Sequence, residues 1–279
     1  MTKRKRNNNL DKMIKEGRGQ GVGDKYKPWI KIQDVASLGR VTRLKGIMSG
    51  RQHEFLSDME RNYFYIVEYS DRVIDIREQY PLLPLEATLL IAKELGIKHP
   101  KNPGTGEDIV MTTDFLITVK ENEKNMELAR TIKAKDELMN KRVLEKFEIE
   151  RIYWKNKGID WGIVTENQID KVVANNISFV HGYNDISELD CFQGVEKFEL
   201  RDLTYEFIRR IVGSNKTMRS ICNEFDKDMS LDLGSGLSIF KYLVINKIIE
   251  VDINKKININ DVINIIKVRE DSLGKVEVI

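Results

Sequence analysis

The chain has 279 residues, 41% hydrophobic and 32% charged, which is enough to bury the core of two domains or one large one. No run of about 18 apolar residues and no apolar leader occurs, so a membrane span and secretion are not expected and a cytoplasmic protein is. Two cysteines, Cys191 and Cys222, and three histidines, His53, His99 and His181, cannot make a disulfide framework or a zinc site, so a metal here is expected to be magnesium on oxygen ligands.

The formal net charge of +2 conceals an asymmetry along the chain. Residues 1–51 carry 14 Lys or Arg against 4 Asp or Glu, and the remainder carries 32 against 40. A short cluster such as Lys3, Arg4, Lys5 and Arg6 is as often a solvated tail as a functional one. Here the cations continue through Arg18, Lys25, Lys27, Lys31, Arg40, Arg43, Lys45 and Arg51, with Tyr26, Trp29 and Ile30 among them. That is the pattern of an arm that docks and offers its cations to a polyanion, with nucleic acid the expected one. Within the arm, residues 17–23 hold too many glycines for regular structure and read as a flexible basic loop. No strand leads into it, so it is neither a P-loop nor a dinucleotide fingerprint.

The first helix is expected to open at Ser57 and run to about residue 69. Ser57-Asp58-Met59-Glu60 fits a capping box, which would explain Glu60 structurally. Glu60, Phe64 and Val67 also fall at i, i+4 and i+7 on the core-facing stripe, so a ligand role stays equally open. A strand over residues 72–77 is ended by Pro81 and Pro84, and a helix over 85–95 is closed by Gly96. Strands over 109–119 and 126–133, joined by the polar turn 121–125, predict a hairpin that sets Asp114 beside Lys133. Two carboxylates and an amine at these places suit phosphodiester hydrolysis, in which acids hold a divalent cation and a lysine orients or deprotonates water.

A helix over 135–157, closed by Gly158, puts Val143, Phe147, Glu150 and Trp154 on one face. Glu150 then either borders the core beside a cation or belongs to a site. Residues 160–165 read as a buried strand. The order helix, strand, helix, strand, strand, helix, strand predicts an α/β fold, a mixed sheet flanked by helices. Beyond residue 170, helices near 200–212, 217–225 and 237–246 precede alternating runs at 248–254 and 256–259 with Asn254-Lys255 between them. Three helices and a hairpin outline a winged-helix-like module, whose plain reading is a DNA reader. Its would-be recognition helix offers only Lys241 and Lys247 as cations, which favours a protein partner.

Several runs carry a resemblance. They are Glu16-Gly17-Arg18-Gly19-Gln20-Gly21, Leu56-Ser57-Asp58-Met59-Glu60 and Asp75-Ile76-Arg77-Glu78-Gln79-Tyr80-Pro81-Leu82-Leu83-Pro84. Further along come Gly96-Ile97-Lys98-His99-Pro100, Met111-Thr112-Thr113-Asp114-Phe115 and Leu144-Glu145-Lys146-Phe147-Glu148-Ile149-Glu150-Arg151 with Tyr153-Trp154. In this order and spacing the chain resembles TnsA, the endonuclease subunit of heteromeric bacterial transposases, over residues 16–165 and weakly beyond about 170.

The resemblance implies a basic N-terminal arm (1–56), a restriction-endonuclease-like catalytic domain (57–169) and a winged-helix-like partner-binding domain (170–279). It implies catalysis by Glu60, Asp114 and Lys133, with Glu150 matching a further acidic position. It implies magnesium, replaceable by manganese, on Glu60 and Asp114. The family's glutamine two residues before the lysine is Thr131 here, so the Thr131 hydroxyl and the Ile132 carbonyl are the further ligands expected. Lys3, Arg4, Lys5, Arg6, Arg18, Lys25, Lys27, Arg40 and Arg43 are the cations expected on DNA. The implied reaction cuts transposon-end DNA near the 5′ ends, on the strand not joined to the target. An integrase-type transposase (TnsB) would cut and join the other strand, and an AAA+ regulator (TnsC) would bind the C-terminal domain. Two rival readings are a stand-alone restriction or repair endonuclease and a non-catalytic DNA-binding regulator.

Overall fold

The computed structural model describes residues 10–34 and 40–269, so the candidate cations Lys3, Arg4, Lys5 and Arg6 lie outside the described residues. No helix among the described residues is long and apolar enough to cross a membrane. The chain divides into two units, Met1–Asp170 and Lys171–Ile279.

In the first unit, a small hairpin of β1 (Thr42–Lys45) and β2 (Gln52–Phe55) precedes helix α1 (Asp58–Glu68). Then follow β3 (Val73–Pro81), α2 (Leu85–Glu94), β4 (Thr112–Glu121), β5 (Lys124–Ile132), α3 (Lys141–Asn156) and β6 (Asp160–Val164). The sheet order is β3-β4-β5-β6, antiparallel except for the parallel pair β5 and β6. It is therefore mixed, because α3 returns the chain to the same edge in the same direction. Strand alternation splits the core in two. Phe115, Ile117 and Val119 of β4 join Phe55, Phe64 and Ile76 on the α1 face, whereas Leu116 joins Leu82, Ile149 and Trp154 on the α3 face.

Three local expectations are corrected. The turn between β4 and β5 is two residues, Asn122 and Glu123, not five, because both adopt positive φ (47° and 63°) as a type I′ turn requires. The helix expected from residue 135 begins instead as a single 3-10 turn, Lys135–Met139, and restarts at α3, where the Asn140 side chain caps the Arg142 N–H. Residues 17–23 are a docked turn: Gly19 N–H donates to Lys27 O (2.6 Å) and Gly23 N–H to Asp75 Oδ1 (3.1 Å). A Cβ on Gly19, at φ 71°, would meet Pro81 Cγ at 2.2 Å, so glycine is needed for the close approach.

The second unit holds α4 (Lys171–Val180), α5 (Lys197–Ile211), α6 (Met218–Asp228), α7 (Ser235–Ile245) and short strands β7 (Ile249–Glu250) and β8 (Lys267–Val268). The hairpin expected between residues 248–254 and 256–259 does not form. β7 pairs with β8, and the intervening chain is satisfied elsewhere. Buried Asn176 donates to Ile253 O and Lys255 O and accepts from Ile257 N–H, while the free N–H groups of Met218 and Arg219 at the start of α6 donate to Asp261 O and Ile259 O.

Candidate active site

Ser57 fixes the start of α1 and, with it, Glu60. The Ser57 hydroxyl oxygen accepts from the Glu60 N–H (3.2 Å) and donates to Glu60 Oε1 (2.8 Å), and Leu56 N–H donates to Oε2 (3.1 Å). Glu60 is only 7% exposed, and its Oε2 also lies 3.5 Å from Nε2 of Gln79. The cap reading holds, and the cap also turns the carboxylate toward Gln79, which leaves a ligand role open.

Asp114 approaches from β4. The same Gln79 amide donates to Asp114 Oδ1 (3.2 Å), and the Ile132 N–H of β5 donates to Oδ2 (2.6 Å). One neutral amide thus spans two carboxylates. Burial raises the Glu60 pKa and Asp114 adds repulsion to it. Burial also raises that of Asp114, outweighing the Ile132 and Gln79 hydrogen bonds and the Lys133 charge that pull it down. Lys133 follows β5, where its N–H donates to Val164 O (2.9 Å) and its Nζ pairs with Glu137 (2.6 Å). The Ile132 N–H bond ties β5 to Asp114, and the charge of Lys133, the next residue, pulls the Asp114 pKa down.

Glu150 sits behind them, 2% exposed, accepting from the hydroxyls of Thr113 (2.6 Å) and Thr131 (2.5 Å). Trp154 and Trp161 donate in turn to those two hydroxyl oxygens. Burial drives the Glu150 carboxyl up to about 7 against both hydroxyl bonds, with Asp114 adding repulsion. Thr131 is therefore engaged as donor and acceptor on the Glu150 side, while Ile132 meets Asp114 through its N–H. Sequence reasoning gave Gln79 and Thr113 no definite role. The only signal was their place in two of the matched runs. Arg77 and His99, also in matched runs, are braces: Arg77 pairs with Asp75 and Glu127, and His99 bonds Thr88 and the Pro100 carbonyl.

The arm docks on β3. Tyr26 and Trp29 are buried, Tyr26 donates to Glu78 O, and Trp29 N–H donates to Gln79 O (3.2 Å). Fully buried Glu78 takes Arg51 in two hydrogen bonds and bonds His53. Burial alone would raise the Glu78 carboxyl, but those partners hold it at about 2. Of the arm cations, Arg18 is spent on Glu16 and Asp34, whereas Lys25, Lys27, Arg40 and Arg43 are exposed.

Among the described residues no group of three or more His, Cys, Asp or Glu side chains could hold a metal, and the Glu60 and Asp114 carboxylates share the Gln79 amide. The donor chemistry suits a hard divalent ion. Two mutually repelling acids, bridged by an uncharged amide, are also an electrostatic deficit that a cation would relieve. Paired buried acids with a lysine after them at the end of a mixed sheet are a donor set of the kind that suits a nuclease.

Comparison with known proteins narrows the class. Residues 70–166 match the family described as TnsA-like endonuclease N terminal, and residues 168–253 match TnsA endonuclease C terminal. The chain is 37% identical over 251 residues, 90% of its length, to the transposon Tn7 transposition protein TnsA of Escherichia coli, 88% of which is covered. The chain belongs to the TnsA family, and it is a DNA endonuclease subunit of a transposase.

Proposed function

We infer that this chain hydrolyses the 5′, non-transferred strand at transposon ends during cut-and-paste transposition, with Glu60, Asp114 and Lys133 as its catalytic groups. The observation that carries this reading is the linked chain Glu60–Gln79–Asp114–Ile132, with Lys133 the residue that follows β5. Magnesium, or manganese in its place, would neutralise charge developing on the scissile phosphate. Glu60 and Asp114 would hold it, and the Ile132 carbonyl would complete the oxygen set. Thr131 serves through Glu150, which keeps β4 and β5 in register behind Asp114. Lys133, paired with Glu137, can donate a hydrogen bond to the attacking water. It takes that water's proton only after Glu137 moves away and the ammonium is deprotonated.

The arm's exposed cations Lys25, Lys27, Arg40 and Arg43 would meet phosphates of the end DNA in the bacterial cytoplasm. The C-terminal unit is read as a winged-helix-like module for a protein partner, the AAA+ regulator TnsC, with the integrase-type transposase TnsB cutting the other strand. Lys241 supports a protein partner over DNA, because its ammonium lies 4.1 Å from the rings of both Phe179 and Tyr183 and is withdrawn from any groove. Strand-specific nicking of supercoiled donor DNA by the complete magnesium-loaded complex tests the reading. Asp114→Ala and Lys133→Ala should each cut the 5′ strand at least ~100-fold more slowly, the scale of a lost charge-stabilising group, whereas wild-type rates would contradict it.

A further inference from the structure

Gln79 is an unusual residue for its place. It lies in β3 yet has φ 47°, a left-handed conformation that a residue with a side chain adopts only when its surroundings force it. The ladder pairs Glu78 with Phe115 and Tyr80 with Thr113, so Gln79 and Asp114 face each other without a ladder pair between them. The side chain is 3% exposed and fixed at both ends. Its Oε1 accepts from the Thr112 hydroxyl (3.1 Å), which orients the amide so that Nε2 points at Asp114 (3.2 Å) and Glu60 (3.5 Å). Its backbone carbonyl accepts from Trp29 N–H of the docked arm (3.2 Å). Glycine at the same φ would be free of the backbone strain.

We propose that Gln79 is a positioning residue of the cation seat: its side-chain amide holds the Glu60 and Asp114 carboxylates at bridging separation, so that a divalent ion meets them already gathered. This rests on the reading of Glu60 and Asp114 as the ion's ligands. A preformed seat saves the ion the cost of bringing two repelling acids together, and without the amide that cost reappears as weaker binding. The hold on the Gln79 carbonyl by Trp29 makes the docked arm part of the same device.

Calcium, which binds oxygen ligands without supporting cleavage chemistry, is the probe, titrated calorimetrically into the full-length chain at about pH 8. Gln79→Gly relieves the backbone strain while deleting the amide, and Gln79→Met keeps the bulk without the donor. Both variants should remain folded, by cooperative thermal unfolding, and bind calcium at least ~10-fold more weakly than the wild type, as the loss of a supporting group around a metal ligand does. A residue that only shaped the fold would leave calcium affinity close to wild type in the folded glycine variant, and that result overturns the proposal. Asp114→Ala separates the two failures. If it loses calcium while Gln79→Gly does not, only the role of Gln79 falls. If it binds calcium as the wild type does, the seat itself falls, and this proposal with it.

Discussion

At the scale of residues, the site is an arrangement of acids whose pKa values are all raised. Glu60, Asp114 and Glu150 hold protons more tightly in the folded chain than in the unfolded one, Glu150 to about 7 from an ordinary 4.5. Each such group stabilises the fold fully below its unfolded pKa and loses that contribution as pH rises through the folded one. In EDTA, unfolding monitored by denaturant should therefore show stability falling from pH 4.5 toward pH 7, the two values that bound the Glu150 shift. If magnesium binds the ionised pair as proposed, it should shrink the fall. Rising stability over that range in EDTA would mean the acids are not held as described. Glu78 works in the opposite sense, its contribution fading only as pH drops toward 2, below this window. Of these groups, Glu60, Asp114 and Glu150 were singled out in the sequence by spacing and matched runs. Gln79 and Thr113 were not, because a glutamine in left-handed backbone and a threonine under a glutamate have no periodic signature.

At the scale of elements, the hairpin of β4 and β5 delivers both Asp114 and Ile132, so its turn matters to the site. Glu123 carries φ 63°, which costs a residue with a Cβ about 1–2 kcal/mol relative to glycine. Glu123→Gly should leave Asn122 followed by glycine, a favoured type I′ pair, and raise the thermal midpoint by several degrees. An unchanged or lower midpoint would contradict the turn assignment. The elements of the first unit follow from periodicity, caps and breakers, but their ends do not. β3 runs through to Pro81 instead of stopping near residue 77, since edge strands tolerate a missing N–H. The C-terminal hairpin misled for a different reason. Its alternating isoleucines are real, yet the backbone groups around them find Asn176 and the open N-terminus of α6, partners too distant in sequence for any local pattern to reveal.

At the scale of the whole molecule, the charge asymmetry is the main clue that composition offers, and the structure refines it. Arg18 is consumed in ion pairs within the arm and Arg51 in the pair with Glu78 on β3, so the basic segment is partly architecture. Lys25, Lys27, Arg40 and Arg43 remain exposed. If each meets a phosphate, replacing all four with alanine should lower the slope of log affinity for duplex DNA against log salt by about 3–4. A slope equal to wild type would place the DNA contacts elsewhere. A change near residue 170 was legible in helix–strand order and in the matched runs, and the structure divides the chain at Asp170 and Lys171. How the arm reaches back to β3 was not, because it depends on single buried contacts such as Tyr26 on Glu78 and Trp29 on Gln79.

The most direct test of the account is to locate the cation. Crystals of the full chain soaked in manganese and measured at the metal's absorption edge should show an anomalous peak within coordination distance, about 2.0–2.4 Å, of carboxylate oxygens of both Glu60 and Asp114. A peak bound to only one of them, or at some other site, would contradict the shared seat on which the endonuclease mechanism depends.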